Sequence, residues 1–263
     1  MAADVGPGSP LLRVADLTVR YGGVTALDSV SLSVPAGGFV GLIGPNGAGK
    51  TTFVDALTGF TRYSGEVCFD GARLDRAPAH VRARHGLART FQSGGVFDDL
   101  TVEENILVGE RSGSGWLSAV TSVLSGRSAP ASRATSEIIE SLGLAGLLGM
   151  RAEELSEGQR KLVCVAQALA SKPKLLLLDE PAAGLDSAES AWLGQQLLAV
   201  RDRGVTILLV DHDMDLVMNV CDELVVLDFG KVIAVGPPRE VLANPLVVAA
   251  YLGSVVPTAE EPA

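Results

Sequence analysis

The octapeptide Gly44-Pro45-Asn46-Gly47-Ala48-Gly49-Lys50-Thr51 carries the spacing G-x4-G-K-[ST]. Its glycines let backbone N–H groups converge on phosphate oxygens, and a helix starting at Lys50 adds the positive end of its dipole. In that setting Lys50 meets the β- and γ-phosphates of ATP, Thr51 offers a hydroxyl to Mg2+, and Thr52 is a further binding candidate beside it. A second able pair, Asp179 and Glu180, closes the apolar run Leu175-Leu176-Leu177-Leu178. Phosphoryl transfer to water needs one carboxylate on the metal and one that orients and deprotonates the water. Asp179 is assigned the first role and Glu180 the second. A third candidate is Leu155-Ser156-Glu157-Gly158-Gln159, in which Ser156 and Gln159 have capping-box spacing. Such a helix start can bind the terminal phosphate of a nucleotide held elsewhere, so two helix starts aimed at one triphosphate imply a composite site.

Patterning supplies the elements that must position these groups. Leu11 to Val40 alternates and breaks at Tyr21-Gly22-Gly23 and Pro35-Ala36-Gly37-Gly38, which predicts several short strands in an antiparallel sheet. Phe39–Ile43 reads as a buried strand, followed by the glycine loop and a helix from Lys50 to about Thr58. Leu175–Leu178 and Val205–Val210 read as further buried strands, separated by a helix that Asp186 or Ser187 caps. Continuous apolar strands alternating with helices imply a parallel sheet covered on both faces. Leu224–Leu227 and Val232–Val235, joined across Phe229-Gly230, predict a terminal hairpin. Between breaks at Gln92–Gly95 and Arg151–Gly158, the box Thr101–Glu104 and helical spacing over Ala134–Leu142 predict a helical insert, with a flexible connector near Ser112–Gly115. The expected fold is α/β: a P-loop NTPase core on a mostly parallel sheet, with an N-terminal antiparallel β subdomain and an inserted α-helical subdomain. The expected boundaries are a tail at 1–10, one domain at 11–253 with the insert at about 93–158, and a tail at 254–263.

Composition narrows the partners. The 263 residues are 47% apolar, enough to bury a sizeable core. With 21 Lys+Arg against 31 Asp+Glu the net charge is −10, the wrong sign for a broad grip on phosphate backbones, so no nucleic acid is expected. Cys68, Cys164 and Cys221 lie far apart without ligand spacing, and read as small core residues rather than zinc ligands or a disulfide framework. Met1–Pro10 has no basic residue and no apolar run, so no secretory leader is expected. No apolar run approaches the about 20 residues of a spanning helix.

Taken in order and spacing, the glycine loop, Gln92, Leu155–Gln159, Asp179-Glu180, Gly184-Leu185-Asp186 and His212 resemble an ABC-type ATPase domain over about Leu11 to Gly253. The resemblance implies two such domains closing head to tail on two ATP molecules, each site pairing one chain's P-loop with the other's signature helix. It also implies that Tyr21 stacks on adenine, that Gln92 touches Mg2+ and the attacking water, and that His212 contacts the γ-phosphate. Asp186 would communicate across the dimer as well as cap its own helix.

Arg89-Thr90-Phe91-Gln92, Thr101-Val102-Glu103-Glu104-Asn105, Pro181-Ala182-Ala183-Gly184-Leu185, His212-Asp213-Met214 and Ala250-Tyr251-Leu252-Gly253 look like the ATP-binding subunits of branched-chain amino acid importers. Related importers for urea and short amides share much of this pattern. The resemblance implies permease partners in the membrane, a second ABC ATPase with a heterodimer favoured, an indirect link to a solute-binding protein, and a peripheral place on the cytoplasmic face. Two positions depart from it: Glu157 puts a negative charge where the family has glycine, and Gln167 stands where many relatives have arginine. Val96, Phe97 and Leu100 are expected either to receive a permease helix or to fill the insert's own core.

Overall fold

Alternating apolar residues pair Leu12–Tyr21 (β1) with Val24–Val34 (β2) antiparallel, closed at Tyr21↔Val24. Several short strands are expected here, but two long ones form. Their interruptions are bulges at which Asp16 (φ 51°) and Ser29 (φ 55°) shift the register without ending the strands. In the computed structural model, which describes residues 10–90, 95–111 and 131–253, the apolar strand Phe39–Ile43 (β3) then leads through the glycine loop into Lys50–Thr58 (α1). Ser64–Phe69 (β4) and Ala72–Arg73 (β5) complete a four-stranded sheet in the order β2-β1-β4-β5. Ala79–Arg84 (α2) sends the buried Arg82 to the carbonyls of Ala56 and Leu57, placing a cation on the C-terminal end of α1.

Leu87–Arg89 (β6) opens the larger sheet. After it come Val102–Arg111 (α3), Arg133–Ser141 (α4), two single 3-10 turns, Glu157–Ala170 (α5), Leu175–Asp179 (β7), Ser187–Asp202 (α6), Thr206–Val210 (β8), Met214–Val220 (α7) and the hairpin Glu223–Asp228 (β9) and Lys231–Gly236 (β10). Pro238–Leu242 (α8) and Pro245–Gly253 (α9) end the described chain. The sheet order is β10-β9-β3-β8-β7-β6, parallel throughout except for the β9–β10 hairpin. Residues alternate between two cores. Phe39, Ile43, Leu176, Leu178, Ile207 and Leu209 face the layer of α5, α6 and α7, whereas Val40, Leu42, Leu175, Leu177, Leu208 and Val210 face α1 and the antiparallel sheet. That division is why these strands carry no polar alternation.

The insert leaves and rejoins this body through a narrow clasp. Val102 N–H donates to Met150 O at 2.9 Å and Ala152 N–H to Leu100 O at 3.0 Å, with Thr101 bridged to Arg151. Thr101 and Glu104 cap α3 reciprocally, as their spacing predicts. The insert is also seated on the body's helical layer, where α3 packs backbone to backbone on α5: a Cβ on Gly109 would lie 2.0 Å from the carbonyl oxygen of Gln167. The expected connector near Ser112–Gly115 lies outside the described residues. Of the expected docking residues, Val96 and Leu100 are buried in the molecule's own apolar clusters and only Phe97, at 36% exposure, faces solvent. For those two the core-filling alternative holds and the docking one is corrected. Among the described residues no helix is long and apolar enough to cross a membrane. Cys221 is buried and Cys68 and Cys164 half-buried, all three free.

Candidate functional site

The larger sheet gathers the candidates at one edge. In adjacent parallel strands Leu42 pairs with Val210 and Val210 with Asp179, so β3, β8 and β7 end level. From these ends emerge the glycine loop, Asp211-His212 and Asp179-Glu180, the arrangement in which open α/β sheets bind ligands beyond their strand C-termini. The loop needs its glycines for close approach: at Gly44 (φ 149°) a Cβ would sit 2.1 Å from Leu227 O. Pro45 and Gly49 are half-buried, Ala48 is buried, and Asn46, Gly47 and Thr51 face outward.

Lys50 is 7% exposed and donates to Gly44 O at 2.6 Å and Pro45 O at 3.0 Å. Burial lowers its pKa, and the nearby carboxylates of Glu180 and Asp179 act in the opposite direction. The same ammonium thus lies in the field of both acids. Asp179, 4% exposed, accepts from Arg89 Nη2 at 2.7 Å, while Arg89 Nη1 donates to Asp55 of α1 at 2.6 Å. Arg89 therefore ties the acid at the end of β7 to the helix that follows the glycine loop. Glu180 is held with φ 50°, its N–H on Val210 O at 2.7 Å. A left-handed non-glycine backbone costs about 1–2 kcal/mol, and such conformations gather where a side chain must be aimed.

Asp211 is fully buried and unnoticed by motif reading. It accepts from Ala182 N–H at 3.0 Å, His212 N–H at 2.7 Å and Asp213 N–H at 3.0 Å, joining the loop after Glu180 to the loop that bears His212. The His212 ring is exposed, with Nδ1 at 3.7 Å from Asp211 Oδ1. The signal was available: an acid directly after the apolar run Thr206–Val210 has to be satisfied internally.

The remaining candidates lie apart from this edge. Tyr21 is 52% exposed at the β1–β2 turn, its hydroxyl 3.0 Å from that of Thr61. Ser156 and Gln159 cap α5 reciprocally, Gly158 is buried against Leu185 and Glu189, and Glu157 is exposed in the first turn. None of their hydrogen bonds reaches Gly44–Thr52 among the described residues. At that first turn Glu157 favours the positive end of the helix dipole, a structural use for the departure from the family pattern. Asp186 caps α6 through Ala188 N–H at 2.8 Å and Glu189 N–H at 2.9 Å. Gln92 lies outside the described residues.

The Thr51 hydroxyl and Asp179 carboxylate are hard oxygen donors, and the described residues contain no cluster of three His, Cys, Asp or Glu side chains. That donor set fits Mg2+, which takes one or two protein ligands and completes its shell with phosphate and water.

A glycine loop between strand and helix, with paired acids at the end of a parallel strand one removed from it, defines a P-loop nucleoside triphosphatase. A family profile described as ABC transporter matches residues 27–183, and one described as branched-chain amino acid ATP-binding cassette transporter matches 231–256. The chain belongs to the ABC transporter ATPases. It is 37% identical over 250 residues to the high-affinity branched-chain amino acid transport ATP-binding protein BraF of Pseudomonas aeruginosa, covering 93% of this chain and 98% of that protein. It is also 37% identical over 255 residues to LivG of Escherichia coli, with the same coverage. The solved structure of an ATP-binding cassette of an ABC transporter in its ADP conformation superposes with a TM-score of 0.83 at 33% identity, over 93% of this chain and 99% of that one.

Proposed function

We propose that this chain is the ATP-hydrolysing subunit that powers branched-chain amino acid import, seated on permease subunits at the cytoplasmic face of the membrane and paired with a second ABC ATPase. Support for the solute comes from the relatives' names and from the C-terminal match at 231–256. The observation that carries the chemistry is the convergence of Lys50, Asp179 and Glu180 at the level ends of β3 and β7.

The backbone N–H groups of Gly44–Gly49, with Lys50, Thr51 and Thr52, hold the phosphates, and Tyr21 packs on the adenine. Mg2+, when bound by Thr51, Asp179 and Gln92, supplies neutralising charge at the phosphate oxygens. Water attacks the γ-phosphorus in line, the bond to the β-phosphate oxygen breaks, and Glu180 takes the water's proton, leaving ADP and phosphate. His212 meets the γ-phosphate from the end of β8. Ser156, Gly158 and Gln159 of the opposing chain complete the charge clamp, and Asp186 reports across the interface. A nucleotide that touches both chains only when they are closed shifts that equilibrium by the extra contact energy, and hydrolysis removes the shift.

Glu180→Gln keeps the shape of the site and removes the base. Turnover is expected to fall about 10²- to 10⁴-fold while ATP is still bound and the chain dimerises with MgATP. Phosphate release and light scattering, the latter on the chain alone and mixed with its partner ATPase, provide the check: near-native turnover removes Glu180 from the role, and absence of nucleotide-driven association in both samples removes the composite site.

A further inference from the structure

The two oxygen donors assigned to the metal sit on different elements, Thr51 in the first turn of α1 and Asp179 at the end of β7. Neither element alone fixes the distance between them. Thr51 and Asp55 are four residues apart in α1 and therefore share a face of that helix. Arg89 joins that face to the strand. Its Nη1 donates to Asp55 Oδ1 at 2.6 Å and its Nη2 to Asp179 Oδ2 at 2.7 Å, with the Thr58 hydroxyl of α1 at 3.4 Å from Nη1. The short strand β6 sets the guanidinium in place. Leu87, Ala88 and Arg89 pair with Leu175, Leu176 and Leu177 of β7, and Thr90 N–H donates to Leu177 O at 2.9 Å. The side chains of Arg89 and Asp179 are 10% and 4% exposed, so salt screens their attraction far less than it would a surface pair.

We propose that Arg89 is a positioning residue for the metal: by bridging Asp55 and Asp179 it fixes the separation between the Thr51 hydroxyl and the Asp179 carboxylate. A carboxylate that holds a cation is itself oriented by hydrogen bonds, and these outer partners tune the metal's affinity. The bond on Oδ2 leaves the other oxygen of Asp179 to the metal. One guanidinium between two acids also leaves a net negative charge, so the brace does not cancel the attraction for a cation. Arg89 acts only through the two acids. Lysine cannot replace it, because a single ammonium on a flexible stem lacks the planar fork that spans both. This inference rests on the reading above that Thr51 and Asp179 hold Mg2+.

The test uses the full chain, adenylyl imidodiphosphate as a non-hydrolysable ATP analogue, and Mn2+ in place of Mg2+. With the chain in excess over the analogue, electron paramagnetic resonance gives the Mn2+ Kd of the complex. A separate titration in EDTA gives the analogue's own Kd without metal. For Arg89→Lys the Mn2+ Kd is expected to rise about 10- to 100-fold while the EDTA value stays within about twofold. Native Mn2+ affinity in Arg89→Lys overturns the proposal, and so does an equal loss in EDTA, which is what a merely structural role would give. Should Arg89→Lys not fold, Asp55→Asn decides. It keeps an acceptor for Arg89 but exchanges a charge-assisted bond for a neutral one, so its Mn2+ Kd is expected to rise about 3- to 10-fold. An unchanged value overturns the proposal. Native Mn2+ binding in Asp179→Asn would sink the metal reading itself and the proposal with it, and a native chain that binds no analogue would sink the nucleotide reading.

Discussion

Arg89 and Asp211 carry much of the geometry at the sheet edge without belonging to any motif that reads as chemistry. Each joins segments that the chain brings from distant places, Arg89 by bridging Asp55 of α1 and Asp179 of β7, Asp211 by collecting three N–H groups from two loops. Asp211→Asn has one acceptor oxygen where the native side chain uses two, so one of those N–H groups must face an amide NH2. Hydrogen bonds to charged groups are worth about 1.5–3 kcal/mol. The expected outcome is a kcat lowered about 10-fold or more with MgATP affinity within about twofold, because nothing in Gly44–Thr51 bonds to Asp211; steady-state kinetics beside equilibrium binding separates the two. Motif spacing singled out Lys50 and Ser156, the end of an apolar run singled out Asp179 and Glu180, and the family resemblance singled out His212, since such local patterns survive in a one-dimensional string. Arg89 and Asp211 act through partners 90 and 29 positions away, a relation that spacing does not encode.

At the scale of elements, the central strands and the helices beginning at Lys50, Ser156 and Asp186 were legible because long apolar runs and caps are local signals. The three-residue β6 was not: Leu87–Arg89 is too short to show a period, yet it presents Arg89 to the site. The register-shifted bulges of β1 and β2 likewise broke the alternation that would have marked two long strands. Gly109 is a further element-level constraint. Gly109→Ala forces a methyl group onto the Gln167 carbonyl at a separation no atom tolerates, so α3 must move off α5. Overpacking of this kind costs about 1–3 kcal/mol, and thermal denaturation is expected to show a Tm lower by several degrees with ATP binding intact at low temperature. An unchanged Tm would mean that the two helices slide apart freely.

For the molecule as a whole, the acidic balance has a consequence for pH. Among the described residues three carboxyls have pKa values lowered from the ordinary one in the fold. For Asp75, Glu110 and Asp213, burial pushes upward but is outweighed by hydrogen bonds: from Val67 N–H and Arg73 to Asp75, from Ser132 and Thr135 to Glu110, and from Ser190 and the Leu216 and Asp215 N–H groups to Asp213. A depressed folded-state pKa contributes stability that is fully present above the unfolded value and is lost as pH falls through the folded one. Urea midpoints are therefore expected to hold steady down to about pH 5 and to drop below about pH 4, where carboxyls ordinarily titrate. A midpoint that stayed level at pH 3 would remove these groups from the acid response.

The clasp at Leu100–Val102 and Met150–Ala152 bears on how the helical lobe can swing. Two crossings that bent independently would let the lobe wobble in any direction. Stitched side by side, they are held as one unit, and a load on the lobe also passes through α3 into α5, the helix whose cap is Ser156.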